Sequence, residues 1–257
     1  MKFKAEVSKL LDIVINSLYS NKQIFLRELI ANASDACDKL RYLALTNQEI
    51  GKQAGELKIY ITPNDKYLTL TISDNGIGMN KDDLVNHLGT IAKSGTSEFL
   101  NNAKENGSIV DLIGQFGVGF YSAFMVAGKV EVLTKKAGED KAYLWISDGM
   151  EGFEIKEAKK EKNGTEIKLY LKEENKNFVD TIFLRHIIRT YSDHINYPIV
   201  LDLGEAGEET INTASALWAR HKSEITNEQY KEFYHHMSKN FDDPWMTLHF
   251  KAEGNIE

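Results

Sequence analysis

The chain carries one cysteine, Cys37, and three prolines in 257 residues. A lone thiol closes no internal disulfide and builds no thiolate metal cluster, and it points to a reducing compartment. Proline stands at about 1% where ordinary usage is ~5%, and the 18 glycines are unexceptional, so collagen-like, proline-linker and low-complexity chains are excluded. No apolar run approaches the ~20 residues of a membrane span. Near the start, Glu6, Lys9 and Asp12 interrupt every stretch that would serve as a signal-peptide core. An excess of positive charge is missing too: 31 Lys and Arg against 38 Asp and Glu leave −7, which favours solubility and argues against nucleic acid as the main partner. A soluble cytoplasmic protein with no membrane or nucleic-acid partner is the expectation.

What is present suffices for a real core: 42% of residues are hydrophobic and 27% charged. At ~150 residues per domain the length corresponds to one large domain, or one domain and part of another. Glu6 to Leu18 has the periodicity of an amphipathic helix. Asn21 reads as the N-cap of a second helix over Lys22 to Leu45. Projected at 100° per residue, that helix has a broad apolar arc through Leu26, Leu29, Ile30, Ala33, Cys37 and Leu40. Arg27, Ala31, Ser34, Asp38 and Arg41 fall on an opposite arc expected to be solvated. Between the two lies a polar stripe, Glu28, Asn32, Asp35 and Lys39, placed where a cleft would open.

Strands are expected over Leu57 to Thr62 and Tyr67 to Ser73, joined at Pro63-Asn64-Asp65. The second runs into Asp74-Asn75-Gly76-Ile77-Gly78-Met79, and Asn80 caps a helix over Lys81 to Ile91. Gly89 to Gly119 reads as a long loop with a short helix near Glu98 to Lys104; loops of this length are usually functional or disordered. It closes on Gly114-Gln115-Phe116-Gly117-Val118-Gly119, which opens an apolar helix through Tyr121, Phe124 and Val126. Four strands follow (Lys129 to Lys135, Ala142 to Ser147, Phe153 to Glu157, Thr165 to Leu171), then a helix over Asn177 to His194 and a strand over Ile199 to Leu203. Helices followed by runs of adjacent strands indicate an α+β, two-layer fold: a mixed, mostly antiparallel sheet with helices on one face. The polar stretch 204–212 reads as a linker. The remainder, 213–257, with a helix near Asn227 to Ser238 and a strand-like Met246 to Ala252, does not amount to a core and looks like a domain cut short.

Several residues could carry chemistry. The Gly114 to Gly119 pattern lacks the Gly-Lys-Ser/Thr of a P-loop and the setting of a dinucleotide fingerprint, and by itself reads first as a tight turn. The helix expected just after it changes the balance, because unpaired N–H groups and close backbone approach suit a phosphate. Asp74 ends a strand beside two glycines that leave room for something flat, although a turn aspartate bonding its own backbone is the commoner explanation. Glu28 and Asn32 stand one helical turn apart; as a carboxylate and an amide oxygen they could activate water and hold Mg²⁺, or simply form a solvated i, i+4 pair. Lys93 offers a point charge for phosphates or a solvated loop cation. Cys37, on the apolar arc, reads as core, and His221, His235 and His236 lack metal-ligand spacing.

Four segments together resemble the ninety-kilodalton heat-shock chaperone family: Asn21 to Ala36, Asp74 to Met79, Leu88 to Thr96 and Gly114 to Ser122, in that order. The short stretch after Leu203 is similar to the bacterial members, and Leu217 to Arg220 and Glu228 to Tyr234 resemble the opening of the family's middle domain. The resemblance implies an ATP-binding fold shared with type II DNA gyrase, mismatch-repair and histidine-kinase ATPases, with domains at 1–203 (nucleotide-binding), 204–212 (linker) and 213–257 (start of the middle domain). It implies that Glu28 is catalytic and activates the attacking water, and that Asn32 holds Mg²⁺ against ATP or ADP. By the same analogy Asp74 accepts from the adenine amino group, Gly78 and Met79 shape the base pocket, and Thr165 supports Asp74. Asp35, Lys39, Asn86, Lys93 and the Gly114, Gln115, Phe116, Gly117, Val118, Gly119 and Phe120 backbone complete the nucleotide contacts. Gly89 to Gly119 would be a lid closing on ATP. Client proteins, co-chaperones and a homodimer are implied for a full-length relative, whose dimerisation domain and middle-domain arginine would lie beyond Glu257, so this chain is expected to bind nucleotide better than it hydrolyses it. A nucleotide-gated interaction module with negligible turnover is the alternative. Cys37 and Ala31 depart from the family's usual residues, both off the polar stripe.

Overall fold

A computed structural model describes residues 21–47, 50, 55–89, 119–150, 152–213 and, farther on, 222, 225–227, 230–231, 234 and 243–249. Helix α1, Ile24–Thr46, runs for 23 residues with neither glycine nor proline to break it. Its N-cap is Gln23 rather than Asn21. Asn21 acts one step earlier, its Oδ1 accepting from the Gln23 amide at 3.0 Å within a tight turn that leads into the helix.

Eight strands form one sheet in the order β5-β4-β3-β6-β2-β1-β7-β8. They are β1 Ile59–Asn64, β2 Thr69–Asp74, β3 Ala127–Lys135, β4 Ala142–Ser147, β5 Glu154–Ala158, β6 Gly164–Leu171, β7 Ile199–Asp202 and β8 Glu208–Thr210. Every neighbouring pair is antiparallel except β1 with β7, so the sheet is mixed and mostly antiparallel as expected. The hairpin turn falls later than the proline suggested. Pro63 and Asn64 remain in β1, opposite Leu70 and Thr69, and the turn is 65–68. Pairing of β1 with β7 ends at Ile61, so the missing N–H of Pro63 leaves no gap in that ladder, and Asn64 Oδ1 closes the turn by accepting from the Tyr67 amide at 3.1 Å.

The two-residue period places Ile59, Ile61, Leu70, Ile72, Val130, Val132, Ile167 and Leu169 on one face, all buried. Against them pack the Leu26, Leu29, Ile30, Ala33 and Cys37 arc of α1 and the apolar residues of Gly119–Met125. That last segment, expected as an apolar helix, is a 3₁₀ helix. Helix α2, Lys81–Leu88, starts at Asn80 with a full capping box: Asn80 Oδ1 accepts from the Asp83 amide and Asp83 Oδ2 from the Asn80 amide, each at 3.0 Å. The long helix expected over 177–194 divides into a 3₁₀ stretch, Glu173–Val179, and helix α3, Thr181–Tyr191, with Asp180 accepting from the Phe183 amide at 2.7 Å.

Two expectations are corrected. Ala31 and Ser34, assigned to a solvated arc, are buried, because the chain leaving α3 lies along that side of α1: the Tyr197 hydroxyl donates to Asp38 at 2.7 Å and the Arg41 guanidinium sits over the Tyr197 ring. The stretch 204–212, read from its polarity as a linker, supplies β8 to the sheet edge. It is fastened there by Arg185, which donates twice to Glu209, and by the buried Asn212, whose side chain meets the Ile199 amide and the Ile195 and Tyr197 carbonyls. Asn227, Tyr230, Lys231 and Tyr234 are helical, and 246–249 forms no strand. The helices expected at Glu6 to Leu18 and Glu98 to Lys104 lie outside the described residues.

Candidate functional site

The centre of the site is built by register. Thr134 on β3 pairs with Thr165 on β6, and Thr165 pairs with Asp74 on β2, so three polar side chains stand abreast on the otherwise apolar face. All three are buried. Asp74 Oδ1 accepts from the Gly76 amide at 2.9 Å. Burial pushes the Asp74 carboxyl up to about 7, against the opposing pull of the Gly76 and Thr165 backbone N–H groups and of Lys160. The shift means that desolvation outweighs the two backbone hydrogen bonds and the Lys160 charge that favour the ionised form.

The turn after Asp74 is clamped on both sides. On one, the Ile77 amide donates to the Ala36 carbonyl of α1 at 3.0 Å. On the other, the Ala137 amide donates to the Ile77 carbonyl at 2.8 Å, and Asn163 Nδ2 donates to the Gly76 carbonyl at 2.7 Å. Gly78 has φ +66, and a Cβ there would overlap the Lys135 carbonyl, so only glycine lets the turn lie this close to the end of β3. Met79 follows, its amide donating to Thr134 Oγ1 at 2.9 Å and its side chain packing against the core.

Helix α1 supplies the opposite wall. Along its polar stripe Asp35 is buried, while Glu28, Asn32 and Lys39 are partly exposed. Burial pulls the Lys39 ammonium pKa down, and Asp35 and Asp83 pull it back up, so Lys39 lies in the joint field of α1 and α2. Glu28 Oε1 pairs with Arg27 at 2.7 Å. Its other oxygen, Oε2, would stand 2.6 Å from a Cβ at position 119. Gly119 therefore lets the backbone at the start of the 3₁₀ segment press against the Glu28 carboxylate, and any larger residue there would displace it.

Phe120 takes no direct part through its ring, which is buried edge-on to Tyr121 and Trp145; only its backbone remains for the site. Asn86 sits on the exposed side of α2. The Tyr121 hydroxyl donates to the Leu88 carbonyl at 3.0 Å, tying the start of the 3₁₀ segment to the end of α2. Lys93, Gly114, Gln115, Phe116, Gly117 and Val118 lie outside the described residues. Sequence reasoning missed Thr134 and Asn163. Asn163-Gly164 registered only as a turn, and nothing local marked Thr134, whose partners come from strand pairing.

The sequence that builds this arrangement matches known families. Residues 10–175 fit the family model described as histidine kinase-, DNA gyrase B-, and HSP90-like ATPase. The chain belongs to this ATPase family. Residues 204–257 fit a second model, described as Hsp90 protein, which bears out the likeness to ninety-kilodalton heat-shock chaperones drawn from the motifs. The α+β sheet architecture is that of the family. Among curated relatives, the Chaperone protein HtpG of Paramagnetospirillum magneticum is 56% identical over 260 residues, which cover 100% of this chain and 41% of the relative. The proteins of the same name from Roseobacter denitrificans and Borrelia garinii are 54% and 53% identical, covering 99% and 100% of this chain and 40% and 43% of their own lengths. The chain thus spans about two fifths of the curated relatives it matches.

Membership of an ATPase family raises the question of Mg²⁺. The donor set fits: Asn32 offers a hard amide oxygen one turn from the Glu28 carboxylate, and Mg²⁺ is commonly held by one or two protein groups together with substrate phosphates rather than by an all-protein cage. Among the described residues no group of three His, Cys, Asp or Glu forms such a cage, and no helix is long and apolar enough to cross a membrane.

Proposed function

We propose that this chain is the N-terminal nucleotide-binding region of an ATP-dependent molecular chaperone. The observation that carries the reading is the pairing of a buried polar floor with a carboxylate wall: Asp74 beside Thr165 on the sheet, and Glu28 pressed against Gly119 at the end of the glycine-rich segment. Asp74 binds the amino group of adenine, and Gly78 and Met79 hold the base flat between the turn and the sheet. Asn32 holds Mg²⁺, which when bound neutralises charge on the phosphates. Asp35, Lys39, Asn86 and Lys93, with the backbone from Gly114 to Phe120, complete the contacts to ribose and phosphate. Glu28 orients the attacking water and takes its proton, with Arg27 holding the carboxylate in place. In a full-length homodimer, ATP would close residues 89–119 as a lid and drive a cycle serving client proteins and co-chaperones in the cytoplasm.

In this division of labour 1–212, with β8 at its sheet edge, carries the nucleotide site and 213–257 begins a middle domain. ATP and ADP are therefore expected to raise the melting temperature of the chain. Glu28→Ala keeps that shift and abolishes residual hydrolysis; loss of the shift in Glu28→Ala would remove the assigned roles. Turnover measured with an added middle domain tests the remaining alternative, a nucleotide-gated module without catalysis: stimulation shows that the catalytic parts are divided, and its absence favours the module.

A further inference from the structure

The Thr134 hydroxyl has three polar neighbours and the capacity for three hydrogen bonds, two accepted and one donated. The Met79 amide, which can only donate, takes one lone pair at 2.9 Å. The Gly164 carbonyl, which can only accept, takes the hydrogen at 3.2 Å. One lone pair is left for the third neighbour, Thr165 Oγ1, at 3.1 Å. Thr165 must then spend its single hydroxyl hydrogen on Thr134, and the only groups it has left to offer are lone pairs. Beside it, in register, the Asp74 carboxylate already receives the Gly76 and Thr165 backbone N–H groups and likewise offers only lone pairs when ionised.

We propose that Thr134 is a specificity-determining positioning residue, which fixes Thr165 as an acceptor so that Thr165 and Asp74 together read an amino group on a purine and reject a carbonyl in its place. The inference rests on the nucleotide reading above and adds to it the discrimination between 6-amino and 6-oxo purines. A 6-oxo purine brings an acceptor against two acceptors, and a buried acceptor left without a donor is costly. With Thr134 replaced by valine, Thr165 regains a rotatable hydrogen, can donate to a carbonyl, and the rejection weakens. Thr134 touches no base in this arrangement; it acts through Thr165 and, by way of the amide, through Met79.

The test is displacement of a fluorescent ATP analogue by ATP and by GTP at pH 8, where Asp74 is ionised, with the fold of each variant checked by circular dichroism. Thr134→Val lowers the ratio of GTP to ATP dissociation constants by about tenfold, the worth of one hydrogen bond to a charged or buried group. Thr134→Ser, which keeps the hydroxyl, keeps the wild-type ratio. If Thr134 were only structural, Thr134→Val would weaken both nucleotides equally, and an unchanged ratio overturns the proposal. Thr165→Val gives an independent reading if Thr134→Val fails to fold: it too must narrow the ratio, and where both fold the double variant must lose no more than either alone. Additive losses, or a ratio indifferent to Thr165, also overturn it. Failure of the wild-type chain to bind ATP at all is a different result, visible before any variant is made, and takes down the nucleotide reading itself.

Discussion

Asp74→Asn separates stability from function at a single atom. Asp74 is raised from 3.8 to about 7 in the folded chain, chiefly by burial. Over the window from about 4 to about 7 the native state keeps a proton that the unfolded chain has released. The stability associated with the group is therefore complete below the unfolded value and is lost as pH rises to the folded value. At 1.36 kcal/mol per unit, the shift of roughly three units makes the ionised carboxylate cost about 4 kcal/mol at pH 8 and less than half of that at pH 5. Asparagine removes this pH-dependent cost. It keeps an acceptor for the Gly76 amide but turns an NH₂ toward the Thr165 backbone N–H, a mismatch worth about 1–3 kcal/mol at any pH. The stability difference between Asp74→Asn and wild type should thus swing by about 3 kcal/mol in favour of the variant between pH 5 and pH 8, leaving the variant the more stable by about 1–3 kcal/mol at pH 8. Urea unfolding followed by circular dichroism at the two pH values measures it. The same variant should show no melting shift with ATP or ADP, because the amide presents a donor to the adenine amino group. A swing below about 1 kcal/mol would mean that Asp74 is not held protonated near neutrality, and a preserved nucleotide shift would mean that it does not face the base.

Gly78→Ala should cost at least about 3 kcal/mol, since it combines a positive φ with overlap of the Lys135 carbonyl; a melting temperature within a few degrees of wild type would show that the turn can move away from β3. Tyr197→Phe removes the 2.7 Å bond to Asp38 and leaves a largely covered carboxylate with Arg41 alone, a loss of about 1–2 kcal/mol in urea unfolding. Its nucleotide-induced melting shift should be unchanged, because Asp38 faces away from the polar stripe; a diminished shift would place the 192–197 segment in the site.

The parts of the site that were legible in the sequence are those whose signal is local. Glu28, Asn32, Asp35 and Lys39 could be sorted from their neighbours because a helix of fixed period carries them, and the Asp74 to Met79 turn announced itself by two glycines directly after an alternating strand. Ala31 and Ser34 were misplaced for a complementary reason: a helical projection gives the angle between residues but not how many layers pack around the helix, and the chain around Tyr197 covers the second side. The 204–212 stretch failed in a similar way, since an edge strand bonded on one side can be as polar as a linker, and only Ile211 and Asn212 at its end are buried. Thr134 is the extreme case. Its neighbours along the chain, Leu133 and Lys135, say nothing about it, and its importance comes from Met79, Gly164 and Thr165, which are brought to it by the pairing of β3 with β6 and by the turn after β2. A residue that touches the ligand tends to leave a motif, because its chemical type is dictated by what it binds. A residue that sets the hydrogen-bond polarity of such a neighbour is constrained only to be a hydroxyl at one register position, and register between strands 30 residues apart is what a single sequence does not contain.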